Sequence, residues 1–383
     1  MLAETYHSAL VEQIKADDFS FRAGRLTVHL AREFGFCYGV DRAVDYAYQT
    51  RERFPDRRVF LTGEIIHNPH VNEKLRTMGI QFIGHDEGAV DELGQDDVVI
   101  LPAFGVTVGV LQRLDNRGCT LIDTTCGSVL NVWKNVRRYA EGGYTSVIHG
   151  KVWHEETQAT ASQAVAYGGR YLVVLNRQEA ARVCDLIQRA PAEDDPDRAA
   201  FVERFGGAAS PGFEPERDLR HIGLANQTTM LMSESLEIGE MLKAAMIERY
   251  GPDKIASHFQ AFDTICSATQ DRQDAVVALL REQDVDLMIV IGGYNSSNTC
   301  NLARICAESR PTFHIADPDC LESATRIRHR PVGSKTEGAA DAWLPPDGPV
   351  TIGLTSGAST PDNLVGAVVA KLTEFASSAT PPG

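Results

Sequence analysis

Cys37, Cys126 and Cys266 share a local setting suited to metal chemistry. Each closes an extended stretch and opens a helix-like one, in REFGFCYGVDRAV, LIDTTCGSVLNVW and FDTICSATQDRQDAV. A thiol at a helix N-terminus feels the positive end of the helix dipole, which favours the thiolate, the form that ligates metal. Cysteines this far apart in the chain cannot make a local zinc knuckle, but they could converge from three similar substructures on one centre. Three thiolates on a four-iron cubane would leave one iron without a protein ligand and open to substrate.

A second set of polar side chains recurs where apolar runs end. His67 and Asn68 follow GEII, and His154, Glu155 and Glu156 follow YTSVIHGKVW. Asn226, Gln227, Thr228 and Thr229 form the ANQTT stretch, and Tyr294 to Thr299 (YNSSNT) follow IVIGG. Ser359 and Thr360 follow TIGLTSGA, with Pro361 suited to the first turn of a helix. Hydroxyls, amides and helix N-terminal N–H groups bind phosphate oxygens without much positive charge. The two imidazoles could supply cationic donors, and Glu156 is a candidate acid. There is no Walker lysine motif and no GxGxxG, which argues against an ordinary nucleotide site. Singly, each residue has a plainer reading: a cap for Asn295 to Asn298, a structural histidine, a solvated acid at a helix start. Their joint occurrence with the cysteines overrides those readings. Cys184, Cys306, Cys119 and Cys320 read as small buried hydrophobes, and Cys300 as helix packing.

These side chains need rigid strand ends behind them, and the chain supplies a repeated βα pattern. Short continuous apolar runs lie at 57–63, 97–105, 144–150, 170–176, 286–293, 311–317 and 349–357. Continuous rather than alternating runs predict parallel strands buried on both faces. Amphipathic stretches such as VLNVWKNVRRYAEGG lie between them, so the fold class is α/β with open sheets. In such sheets the ligand crevice lies beyond the carboxyl ends of the strands. Three related α/β lobes are expected at 38–125, 126–265 and 266–358. They are preceded by an N-terminal segment (1–37) carrying the first cysteine and followed by a C-terminal helix and tail (359–383). Residues 188–220 read as a polar insertion in the second lobe, and 330–342 as a similar excursion.

Composition sets the outer limits. At 383 residues with 43% hydrophobic and 23% charged side chains, the chain has the make-up of a globular protein of two or three domains. Its net charge of −15 argues against nucleic acid as the main partner. No apolar run is long enough to span a bilayer, and the acidic N-terminus is unlike a secretory signal, so cytoplasm is the expected compartment. Eight cysteines in such a chain suggest metal or redox service rather than disulfides.

From about residue 28 to residue 373 the chain resembles the 4-hydroxy-3-methylbut-2-enyl diphosphate reductases of the non-mevalonate isoprenoid pathway. The resemblance is carried by GFCYGVDRAV, EIIHNPHVNEKL, LIDTTC, HGKVWHEETQATAS, ANQTTML, FDTICSATQDRQDAV, VIGGYNSSNT and TSGASTPDNLV, in that order. HGK with HEET, FDTIC with ATQDRQ, and GGYNSSNT are similar to the plant and cyanobacterial branch. The resemblance implies a trefoil of three α/β lobes around a central [4Fe–4S] cluster, held by Cys37, Cys126 and Cys266 with one open iron. It implies that His67 and His154 contact the substrate diphosphate, and that Ser296, Ser297, Asn298 and Ser359 hold it. Glu156 would protonate the substrate, and Thr228 would lie near its hydroxyl. Two electrons from a low-potential carrier such as ferredoxin or flavodoxin would then remove the hydroxyl, giving isopentenyl and dimethylallyl diphosphates.

Two departures bear on that expectation. Phe104, in PAFG, stands where the enterobacterial branch has a third histidine, a feature shared with the plant-like branch. Gly127-Ser128 replaces the family's proline and large residue after Cys126, which predicts a softer cluster loop. Two rival classes are an inactive iron–sulfur sensor or carrier and a zinc hydrolase built on His67, His154 and Glu156. A carrier closes its cluster with four cysteines, and a zinc site leaves the cysteine helix starts unexplained.

Overall fold

A computed structural model describes residues 5–84, 87–189, 196–262 and 265–378. The seven apolar runs read as strands are strands, at Val59–Thr62, Val98–Leu101, Thr145–His149, Arg170–Val174, Leu287–Ile291, Thr312–Ile315 and Val350–Ser356. All seven pair in parallel. The described chain is α/β, and its contacts divide it into two compact units.

The first unit comprises Met1–Tyr48, Ile66–Thr77 and Ser267–Gly383. Its sheet has the strand order Ser20–Ala23, Leu26–Leu30, Val350–Ser356, Leu287–Ile291, Thr312–Ile315, parallel throughout except for the first hairpin. Val365, Val368, Val369 and Leu372 of the helix Asp362–Ser378, with Val11 and Ile14 of Ala9–Ala16, bury against one set of sheet side chains. Val276 and Leu279 of Ser267–Glu282, with Leu302 and Cys306 of Ser297–Ala307, bury against Met288 and Val290. Fully burying each such aliphatic side chain contributes about 1.5–3 kcal/mol, so the helices clamp the strand ends firmly.

Also in the first unit, Leu321–Ser323, Arg326–His329 and Gly338–Asp341 form a small antiparallel sheet. The expected excursion at 330–342 thus ends in a strand. It is polar because its faces are exposed, and it is laced by Arg326–Asp341 at 2.8 Å and Arg328–Glu337 at 2.7 Å.

The second unit comprises Gln49–Ile65 and Met78–Cys266 and holds two four-stranded parallel sheets. One has the order Ile80–Ile83, Val59–Thr62, Val98–Leu101, Thr120–Asp123. The other has the order Phe259–Ala261, Ile222–Asn226, Thr145–His149, Arg170–Val174. The polar insertion expected at 188–220 is only partly irregular. Residues 190–195 lie outside the described residues, but Pro196–Phe205 is a helix whose Phe201 and Phe205 are buried in the second sheet's core. Phe213 stacks on Phe201 at 5.9 Å. The many charges of this segment masked three aromatic anchors. Among the described residues no helix is long and apolar enough to cross a membrane.

Candidate functional site

Each of the eleven residues singled out by sequence follows the carboxyl end of a parallel strand, where open α/β sheets bind ligands. The three cysteines immediately precede the helices Tyr38–Arg53, Gly127–Glu141 and Ser267–Glu282. All three lie outside any disulfide and are only partly buried. The Cys37 N–H donates to Ala358 O, the Cys126 N–H to Ala103 O, and the Cys266 N–H to Thr228 O, at 3.1, 3.0 and 3.3 Å. Each cysteine backbone is therefore pinned to another strand-end loop of the site set. Cys126 caps its helix with backbone geometry alone, its thiol making no capping bond, and Gly127 takes the first helical position with open space around it. The helix thus starts regularly despite the glycine. Cys184, Cys306 and Cys320 are buried and Cys119 is partly so, whereas the Cys300 sulfur meets Arg330 Nη2 at 2.7 Å rather than only helix neighbours.

In the first unit, Ser296 caps Ser297–Ala307, its Oγ accepting the Thr299 N–H. Asn298 Oδ1 accepts the Ala358 N–H at 3.0 Å, which ties this helix start to the loop that bears Ser359. The Ser359 hydroxyl donates to His67 O at 3.2 Å. The Asn295 amide nitrogen lies 3.2 Å from His67 Nδ1, which makes Nδ1 the acceptor and leaves the ring proton on Nε2. Gly293 permits this packing, because a Cβ there would sit 2.4 Å from His67 O. His67, Ser296, Ser297, Asn298 and Ser359 are thus one cluster of buried donors. Asn298 Nδ2 is buried with no acceptor, a cost a fold accepts where a ligand supplies the partner.

In the second unit, His154 caps Glu155–Ala166, its Nδ1 accepting the Glu156 N–H at 3.2 Å. As with His67, the imidazole proton is left on Nε2. Phe104 packs edge-on against the His154 ring with centroids 5.5 Å apart, so the position that carries a third histidine elsewhere here orients an existing one. Glu156 is 1% exposed. Its Oε1 accepts the Thr228 N–H at 2.6 Å and its Oε2 the Thr228 hydroxyl at 3.0 Å. Burial pushes its carboxyl up to about 7 against the opposing pull of both Thr228 bonds. A brace surrounds this pair. Gln227 Oε1 accepts from the Lys151 N–H at 3.1 Å and the Thr157 hydroxyl at 3.2 Å, while its Nε2 donates to Thr229 Oγ1 at 2.8 Å. Sequence reading placed Asn295 and Gln227 only among polar strand ends. Their adjacency to Ser296 and Thr228 was the available signal.

Partly exposed cysteines thus stand at three helix starts, buried neutral donors at a fourth, and a buried carboxyl raised to about 7 beside Thr228. The chain belongs to the family described as LytB protein, whose model matches residues 28–373. It is 50% identical over 378 residues to the 4-hydroxy-3-methylbut-2-enyl diphosphate reductase of Thermosynechococcus vestitus, covering 98% of this chain and 91% of the relative. The reductase of the same name from Gloeobacter violaceus is 49% identical, with 98% of this chain and 89% of the relative covered. A solved structure of (E)-4-hydroxy-3-methyl-but-2-enyl diphosphate reductase, titled the terminal enzyme of the non-mevalonate pathway, superposes with a TM-score of 0.55 at 27% identity. It covers 91% of this chain and 99% of its own. The Plasmodium falciparum reductase structure shares the fold, with a TM-score of 0.64 at 22% identity, over 93% of this chain and 88% of its own. An iron–sulfur cofactor goes with this family.

Proposed function

We propose that this chain reduces 4-hydroxy-3-methylbut-2-enyl diphosphate, with two electrons and two protons, to isopentenyl and dimethylallyl diphosphates plus water. The observation that carries the reading is the Glu156–Thr228 pair: a buried acid raised to about 7, bonded to the hydroxyl of the residue whose carbonyl accepts the Cys266 N–H. Hydroxide is a poor leaving group, and it departs as water if an acid protonates it. Glu156 would hold that proton on a carboxyl oxygen, and the Thr228 hydroxyl would pass it to the substrate oxygen.

Cys37, Cys126 and Cys266 would hold a [4Fe–4S] cluster with one open iron. Their chemistry fits, because each is outside any disulfide, partly exposed and at the positive end of a helix dipole. When bound, the cluster would supply a Lewis-acidic iron and electrons one at a time, the electrons coming from a low-potential carrier such as ferredoxin or flavodoxin. His67 and His154 would each give an Nε2–H to the diphosphate. Ser296, Ser297, Asn298 and Ser359 would add neutral donors at a helix N-terminus, where an anion is stabilised. Such a clamp turns binding energy into orientation of the reacting carbon.

Anaerobic turnover of the hydroxylated allylic diphosphate with a reduced viologen, after iron and sulfide reconstitution, tests the reading. Formation of both five-carbon diphosphates supports it. A reconstituted protein that binds iron and sulfide yet makes neither product would overturn it in favour of an iron–sulfur sensor.

A further inference from the structure

Arg272 lies in Ser267–Glu282, six residues beyond Cys266, and is 4% exposed. Among the described residues its guanidinium bonds only to carbonyls. Nη1 donates to Ala268 O at 2.7 Å, and Nη2 donates to Gly35 O at 2.8 Å and to Phe34 O at 3.4 Å. Nε is buried with no acceptor, and no carboxylate pairs with this side chain among the described residues. The carboxylate packed closest to Gly35, that of Asp362, pairs with Lys15 Nζ at 2.9 Å. Carbonyl dipoles soften a cation without neutralising it. A buried charge with no counter-charge is strongly disfavoured, so the fold carries a cation whose counter-charge is not among the described residues.

The position of the carbonyls identifies that partner. Ala268 stands two residues after Cys266, and Gly35 two residues before Cys37. Gly35 is held on its other side, its N–H donating to Ser356 Oγ at 2.9 Å. It adopts φ +78°, where a Cβ would lie 2.4 Å from Asp362 Oδ1, so the turn ahead of Cys37 has one conformation and Arg272 holds it there. Building on the proposed iron–sulfur reading, we propose that Arg272 is a positioning residue and fixed counter-cation for the anionic centre held by the cysteines. It straps the approach to Cys37 onto the helix that follows Cys266. Each electron added makes the centre one unit more negative while the guanidinium charge is constant. The reduced state therefore gains more from the cation than the oxidised one, and Arg272 raises the reduction potential.

The test reconstitutes the full chain anaerobically as wild type, Arg272→Gln and Arg272→Lys. Iron per chain is measured, and the centre is titrated against viologen couples. Arg272→Gln is expected to retain iron and to shift the one-electron reduction equilibrium at least tenfold toward the oxidised state, a 59 mV lower potential. Arg272→Lys, keeping the charge, stays within about threefold of wild type. An Arg272→Gln protein with full iron and wild-type potential overturns the inference. If Arg272→Gln loses its iron, the metal-free proteins decide. Unchanged melting of that variant, with iron retained by Arg272→Lys, supports the role. A matching loss of stability in the metal-free state, or iron lost from Arg272→Lys too, reduces Arg272 to a structural strut. A wild-type protein that takes up no iron overturns the underlying iron–sulfur reading, and this inference with it.

Discussion

The two units treat their histidines alike but surround them differently. His67 and His154 both give up Nδ1 as an acceptor, one to a side-chain amide and the other to a helix N–H, and both keep the proton on Nε2. Around His67 the first unit gathers hydroxyls and amides, among them a buried Asn298 amide with no acceptor. Around His154 the second unit packs Phe104 and a carboxyl whose two oxygens are both bonded to Thr228. An amide without an acceptor among the described residues suits an acceptor oxygen, whereas burial raises the Glu156 carboxyl to about 7. On the proposed reading, the first unit's hydroxyls and amides hold the diphosphate, while the second unit adds His154 to that hold and supplies the acid Glu156.

The proposed reading can be broken most severely at its proposed metal ligands. Cys126→Ala should lose the iron and with it all turnover, as read by iron per chain; a variant that kept its iron would remove Cys126 from the ligand set. Next in size is Glu156→Gln, which should lower kcat by about 10²–10⁴-fold with KM little changed. Turnover near wild type would end its assignment as the acid. The pH dependence sharpens the point. Wild-type kcat should fall as pH rises through about 7, where Glu156 loses its proton, and the glutamine variant should lack that limb.

The same carboxyl affects stability. Its folded value lies above the ordinary 4.5, so the folded state binds the extra proton between those pH values. Its contribution is full below about 4.5 and lost as pH rises through about 7. A pH series of wild-type melting temperatures should show this decline, and the glutamine variant should lose it.

Smaller effects belong to the donors around His67. Asn298→Ala should raise KM roughly 10- to 100-fold with kcat nearly kept, the size of one hydrogen bond to a charged group. Equal losses in kcat and kcat/KM would instead make Asn298 part of the chemistry. The smallest change concerns the glycine after Cys126. Cys126 has φ −63° and ψ 140°, suited to a following proline, and nothing crowds Gly127. Gly127→Pro should stabilise the protein by about 0.4–1 kcal/mol in thermal melts. Destabilisation would show that the glycine serves a conformation other than this one.

The strands were legible because burial on both faces forces continuous apolar runs, and seven such runs became seven parallel strands. The helix starts behind the three cysteines were legible for a similarly local reason, since an extended-to-helical switch is written in neighbouring residues. The helix Pro196–Phe205 and the strand Gly338–Asp341 were not. Their anchors are three phenylalanines hidden among charges in one case and cross-strand ion pairs in the other, and neither has a local period.

Residue types and their order by themselves determined the fold class, the family, and which thiols, imidazoles, hydroxyls and acid stand at strand ends. Only the tertiary structure decided what those groups are chemically. The tautomers of His67 and His154, the Glu156 carboxyl near 7 and, among the described residues, the Asn298 amide without an acceptor and the Arg272 cation without a carboxylate all depend on distant neighbours and on exclusion of water. Solvation and long-range hydrogen bonding are properties of the packed molecule, and no local stretch of sequence encodes them.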